Sequence, residues 1–223
     1  MRVHDCHQGS DLWLWHRLGL PTSSEFGRII TPAKGELSKG IDGYIAELIA
    51  EQVCPDYHGG YTSRAMWEGT NIEGEARQWY AYATDTEVRQ VGFVTDDDET
   101  AGCSPDGLAE QNGLELKGPI PKTHVGYMLN PESLRADYRV QCHGGMVVCE
   151  LDEWHLMSYC QGFEPVLVTF TWDDYTDKLV KALATFTERY SEARERFAEA
   201  NGRPLVKPPK PRVKAVDDPI FMA

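Results

Sequence analysis

Leu114-Glu115-Leu116-Lys117 alternates apolar and polar side chains. Period two marks a strand, with both leucines on one face and a carboxylate beside an ammonium on the other. Other stretches repeat every three to four residues. The last of these places Leu179, Leu183, Phe186, Tyr190, Ala193 and Phe197 at alternating steps of four and three, an amphipathic helix suited to packing on a sheet. Read throughout, the pattern predicts helices over 22–31, 40–53, 63–83, 133–149 and 175–200. It predicts strands over 88–95, 101–108, 113–118, 153–160 and 165–171, with a turn at Asn112-Gly113. Helices interleaved with strands imply an α/β fold, a mixed central sheet flanked by helices.

At 223 residues, 41% of them hydrophobic, the chain is long enough for one domain with a sizeable core. That domain is assigned to residues 1–200. Residues 201–223 change character: four prolines and five basic residues lie within 201–214, and no acid does. They read as an extended arm that follows a DNA backbone, lies on a neighbouring subunit, or is solvated. No apolar run reaches the length of a membrane span, and the first seven residues lack a secretory core, so a cytoplasmic location without membrane contact is expected. Six cysteines without a Cys-x-x-Cys suggest neither a zinc site nor a disulfide framework. The terminal cluster His4, Cys6 and His7 reads as a frayed end.

Asp106, in Ser104-Pro105-Asp106-Gly107-Leu108, lies nine residues before Glu115. Two carboxylates and Lys117 converging across a hairpin would suit a hard divalent cation with a water beside it. The same residues also read as a half-exposed hairpin with an ordinary Glu–Lys pair. Upstream, Gly69, Glu73, Ala76 and Tyr80 share a helix face, so Glu73 either faces the same cluster or pairs with Arg77. Gln141, one turn from Asp137 and Tyr138, reads as a hydrogen-bond partner of a phosphate, the attacking water or a metal ligand, or as a satisfied polar residue. Thr22-Ser23-Ser24-Glu25 has the form of a capping box. A helix N-terminus there, with Arg17 close in sequence, would attract phosphate, or be a plain cap.

These pieces together resemble the phage lambda exonuclease-like, or YqaJ-type viral recombinase, family of PD-(D/E)XK nucleases. The markers are Gly69-x-x-x-Glu73-x-x-Ala76-Arg77, Cys103-Ser104-Pro105-Asp106-Gly107-Leu108, Leu114-Glu115-Leu116-Lys117 and Tyr138-x-x-Gln141, preceded by the block Trp15 to Glu25. The resemblance spans about residues 10–170 and implies a restriction-endonuclease-like core. It implies catalytic roles for Lys117, Glu115, Asp106, Glu73 and Gln141. Metal would be held by Asp106, Glu115 and the Leu116 backbone carbonyl. Arg17 and Ser24 would hold a 5′ phosphate. The cofactor implied is Mg²⁺, with Mn²⁺ as a substitute and two ions per site. His143 stands where the pattern often has a second glutamine, and its role is open.

The implied activity is 5′-to-3′ degradation of one strand of linear duplex DNA to 5′ mononucleotides. The remaining 3′-ended strand would pass to a single-strand annealing protein in phage recombination. Double-stranded DNA ends, a homotrimer ring and a phage or prophage origin belong to the same implication. A net charge of −13 sits awkwardly with DNA binding, which depends on Lys and Arg against phosphate. It agrees if Asp96-Asp97-Asp98-Glu99 faces away from DNA, or if repulsion confines DNA to a basic channel. Two rivals remain: a DNA endonuclease with the same metal site, and a non-enzymatic acidic DNA mimic.

Overall fold

The computed structural model describes residues 1–54 and 64–211, without the side chains of residues 64–71. In chain order the elements are β1 (Arg2–His4), α1 (Asp11–Arg17), a 3₁₀ helix (Ser23–Arg28), α2 (Ile41–Val53) and α3 (Arg64–Thr84). β2 (Phe93–Thr95), β3 (Gly102–Cys103), β4 (Gly107–Leu108) and β5 (Asn112–Lys117) follow. The chain continues through α4 (Pro121–Leu129), α5 (Pro131–Cys149), β6 (Glu153–Ser158), β7 (Val166–Thr171) and α6 (Asp174–Asn201).

Two sheets organise the molecule. The larger runs β4-β5-β6-β7 and is mixed: β5 and β6 are parallel, and both outer pairs are antiparallel. Parallel neighbours need a crossover, which α4 and α5 supply. The smaller sheet runs β1-β2-β3, all antiparallel. The alternation in β5 is realised. Leu114 and Leu116 join Ala76 and Tyr80 of α3 in one apolar cluster, while Glu115 and Lys117 look the other way, toward α5. Helices therefore cover both faces, as the α/β reading requires.

α5 forms the layer between the larger sheet and α6. Gly144 and Gly145 make this possible: a Cβ at Gly144 would fall 2.7 Å from the Phe26 ring, and one at Gly145 2.5 Å from Trp154. Trp154 is almost fully buried there. The apolar stripe of α6 is buried at Leu179, Leu183, Phe186 and Tyr190. It packs on α2 and α5 rather than directly on the sheet, with Phe186 5.7 Å from Tyr44. A capping box does form, at Asp173, whose carboxylate accepts from the Tyr175 and Thr176 N–H groups.

Several expectations are corrected. The strand expected over 101–108 is two strands in different sheets, β3 and β4, separated by Ser104-Pro105-Asp106. Proline has no N–H for a ladder, and the chain changes sheets there. Of the strand expected over 88–95 only Phe93–Thr95 pairs in the smaller sheet; Arg89 forms an isolated bridge with Leu108. The hairpin turn falls at Glu110-Gln111, where the Ala109 N–H reaches the Asn112 carbonyl, and Asn112 already belongs to β5. The N-terminus is not frayed, because Arg2–His4 pairs with β2.

The helix expected over 22–31 is a six-residue 3₁₀ helix, and its N-cap Thr22 makes no side-chain capping bond. A 3₁₀ turn eclipses residues three apart, which puts both Phe26 and Ile29 in the core. The sequence pattern also missed α1 and α4, which are short. The part of the predicted helix 63–83 at residue 63 lies outside the described residues, as does the arm beyond residue 211.

Candidate active site

Asp106 ends the loop between β3 and β4, and the hairpin carries it back alongside β5. Its backbone N–H donates to the Leu114 carbonyl at 3.0 Å, and its Oδ2 accepts the Leu116 N–H at 2.6 Å. The carboxylate is thus held against the stretch that presents Glu115. Burial pushes the Asp106 carboxyl well above the usual range, and the neighbouring Glu115 and Glu73 charges push it further. The Leu116 N–H and Lys117 pull the other way without cancelling the effect.

Glu115 is equally buried. Its Oε1 accepts from Lys117 Nζ and from Gln141 Nε2, both at 2.7 Å. Gln141 comes from α5, as does Tyr138, whose ring lies 4.6 Å from Lys117 Nζ. Burial alone would lower the Lys117 pKa. Glu115, by charge and hydrogen bond, and Asp106, by charge, hold it above the ordinary lysine value. Lys117 is therefore a firm ammonium here.

Arg77 does not serve merely as a partner for Glu73, since its Nε donates to the Asp106 carbonyl at 2.8 Å. Glu73 lies one helical turn earlier, near enough to be felt at Asp106. Gly69, first in that motif, falls where side-chain surroundings are not described. The structure thus brings Asp106, Glu115, Lys117 and Gln141 into one bonded cluster, with Glu73 at its edge.

Arg17 and Ser24 also meet. Arg17 donates to Thr22 Oγ1 at 3.3 Å and to Ser104 Oγ at 3.4 Å, and Thr22 Oγ1 lies 3.3 Å from Ser24 Oγ. The guanidinium stacks over Trp13 at 4.4 Å, and Trp13 Nε1 donates to Ser104 Oγ. Burial lowers the Arg17 pKa, with Tyr44, Glu25 and Glu51 partly offsetting it. Among the described residues, its hydrogen-bond partners are neutral hydroxyls rather than carboxylates. A desolvated cation with no carboxylate hydrogen-bonded to it among the described residues favours an anion. The pocket is made of side chains, and the element that begins beside it is a six-residue 3₁₀ helix in place of the expected α-helix. Ser104 and Trp13 were missed by sequence reasoning as parts of this pocket, and Thr22 was named there only as a cap. Ser104 had a signal, its place two residues before Asp106.

His143 lies outside this cluster. It is 2% exposed, its Nδ1 lies 2.7 Å from Thr176 Oγ1, and Phe170 and Tyr175 pack on its ring. Burial lowers its pKa to about 4. It links α5 to the start of α6.

Among the described residues, no group of three or more His, Cys, Asp or Glu side chains is placed to hold a metal. The donor set near Asp106 is instead two carboxylates, Asp106 and Glu115, whose oxygens are hard donors. The Glu115 charge disfavours ionisation of Asp106, and a cation beside the two carboxylates would relieve that. The residues present therefore fit a divalent ion.

A family model described as the YqaJ-like viral recombinase domain matches residues 12–152. No curated protein sequence matches. Among solved structures, LHK-Exo in complex with dAMP has a TM-score of 0.74 at 22% identity, covering 86% of this chain and 98% of that one. The alkaline exonuclease LHK-Exo from Laribacter hongkongensis gives 0.67 at 23% identity, covering 86% and 100%. A phage-related exonuclease from Haemophilus somnus 129PT gives 0.59 at 10% identity, covering 88% and 97%. At these identities the likeness shows the fold, with the mixed sheet and flanking helices in common.

Proposed function

Because this chain belongs to the YqaJ-like viral recombinase domain family, we propose that it is a metal-dependent exodeoxyribonuclease. It degrades one strand of linear duplex DNA from the 5′ end to 5′ mononucleotides. One observation carries this reading. Arg17, whose hydrogen-bond partners among the described residues are hydroxyls, bonds Ser104, two residues from Asp106, so an anion pocket adjoins the paired carboxylates. An enzyme that begins at a phosphorylated end needs those two sites side by side. The similar solved structures of an alkaline exonuclease and a phage-related exonuclease agree with it.

Asp106, Glu115 and the Leu116 carbonyl are the residues that would hold Mg²⁺, or Mn²⁺ in its place, with two ions per site. Bound there, the ion supplies Lewis-acid stabilisation of charge on the leaving 3′ oxygen and makes a nearby water more acidic. Arg17 and the Ser24 hydroxyl hold the 5′ phosphate and fix the register of the scissile bond. Lys117, as an ammonium, orients the attacking water and stabilises the charge that develops in line with the leaving group. Gln141 fixes the Glu115 carboxylate, and Glu73 adds negative field at the same cleft.

Residues 1–200 form the nuclease domain in this proposal, with 201–223 as an appended arm. A homotrimer ring, a single-strand annealing partner that receives the 3′ strand, and a phage or prophage origin complete it. No described helix is long and apolar enough to cross a membrane. The test compares linear duplex with covalently closed circular duplex in Mg²⁺. Linear DNA should be consumed and the closed circle left intact. Linearisation of the circle would replace this reading with an endonuclease.

A further inference from the structure

α1 carries Trp13 and Arg17, yet the helix has only seven residues and none is fully buried. A helix so short is not stable alone, so its position depends on what holds it. Trp13 anchors one side through Ser104, and His16 stacks on His4 of β1 with ring centroids 4.2 Å apart.

The last turn has a specific deficit. The Gly19 N–H, which would meet the Trp15 carbonyl in a continuing helix, goes instead to Glu51. The Leu20 N–H, which would meet His16, goes to the Arg17 carbonyl. Two carbonyls beside Arg17 are left without helical partners. Lys207 Nζ supplies both, donating to the Trp15 carbonyl at 3.3 Å and the His16 carbonyl at 3.1 Å. Trp15 Nε1 in turn donates to the Pro208 carbonyl at 2.8 Å, and the Lys207 and Lys210 ammoniums lie 5.0 Å and 5.6 Å from the Trp15 ring. A cation at a helix C-terminus also meets the negative end of the helix dipole.

We propose that residues 203–211 act as a strap whose Lys207 caps the C-terminal turn of α1 and so positions Arg17 for the 5′ phosphate. Lys207 is a positioning residue, acting through backbone carbonyls and not on DNA. The strap's proline content suits the task, because an extended proline-rich segment loses little entropy on docking. The inference rests on the assignment of Arg17 to the 5′ phosphate.

The experiment measures KM and kcat for full-length wild type, Lys207→Met and Lys207→Arg on linear duplex with 5′-phosphate and with 5′-hydroxyl ends. Circular dichroism checks that each is folded. Lys207→Met should raise KM for 5′-phosphate ends by about tenfold, the scale of one weakened charge-assisted contact. KM for 5′-hydroxyl ends, and kcat on both, should stay near wild type. Lys207→Arg keeps donors for the carbonyls and should restore most of the loss. An equal rise in KM on both substrates would make Lys207 a general DNA contact and overturn the strap. An unchanged preference in Lys207→Met would overturn it as well. A wild type without preference would instead overturn the Arg17 assignment, and the strap's role with it.

Discussion

Burial and two carboxylate neighbours disfavour the charged form of Asp106, and this makes it a sensitive probe of a bound cation. Asp106→Asn keeps an acceptor for the Leu116 N–H and removes the charge. We expect cleavage to fall by roughly a hundred- to a thousandfold, and the melting temperature without metal to hold or rise. Mg²⁺ should raise the melting temperature of the wild type, by linkage, and not that of the variant. An equal Mg²⁺ shift in both would remove Asp106 from the metal site. Lys117→Ala should lower kcat far more than it weakens DNA binding. Lys117→Arg should rescue little, because the planar guanidinium cannot take the place of a compact ammonium over Tyr138. A loss of activity matched by the loss of DNA affinity would make Lys117 a binding residue. Asp106, Glu115 and Lys117 were legible in the sequence because strand alternation and short spacing are local. The bond from Arg17 to Ser104 was not, since it joins residues 87 apart and leaves no periodic trace.

At the scale of elements, long helices and the strands β5 to β7 were legible, and short or irregular pieces were not. α1 and α4 lack enough turns to establish a period. Thr22-Ser23-Ser24-Glu25 had the letters of a capping box, but the Thr22 hydroxyl is engaged by Arg17 and Ser24, and the chain turns as a 3₁₀ helix. The real capping box, at Asp173, uses Thr176 where the usual pattern has Glu or Gln. Thr176 is also the partner of His143, and that junction has a pH signature. The His143 pKa is about 4 in the fold against 6.5 for the free side chain. An unfolded chain thus takes up this proton below about pH 6.5, and the folded one does so only near pH 4. Its contribution is complete above the upper value and is lost as pH falls through the window, at most on the order of 3 kcal/mol. His143→Gln should therefore show a shallower loss of stability between pH 6.5 and pH 4 in urea unfolding, and retain nuclease activity. His16, also lowered to about 4 by burial, keeps part of the slope. An unchanged slope would mean that His143 titrates normally in the folded protein.

For the whole molecule, the question raised by the net charge of −13 becomes one of where the charge sits. Within the run Asp96 to Glu99, Asp97 pairs with the Met1 ammonium and Glu99 with Arg2, while Asp96 accepts from Thr100 in its own loop. Asp106 and Glu115 belong to a site that fits a cation. The arm, basic in sequence, returns to its own chain through Trp15 as far as residue 211. The central claim is that a cation held by Asp106 and Glu115 cuts DNA stepwise from a 5′-phosphorylated end recognised by Arg17. The most direct test follows linear duplex labelled at either the 5′ phosphate or the 3′ end, in Mg²⁺ and in EDTA. The account predicts that the 5′ label leaves at once as a mononucleotide, that the 3′ label stays in long strands, and that EDTA stops both. Early release of the 3′ label, a 5′ label in internal fragments, or digestion that persists in EDTA would contradict it.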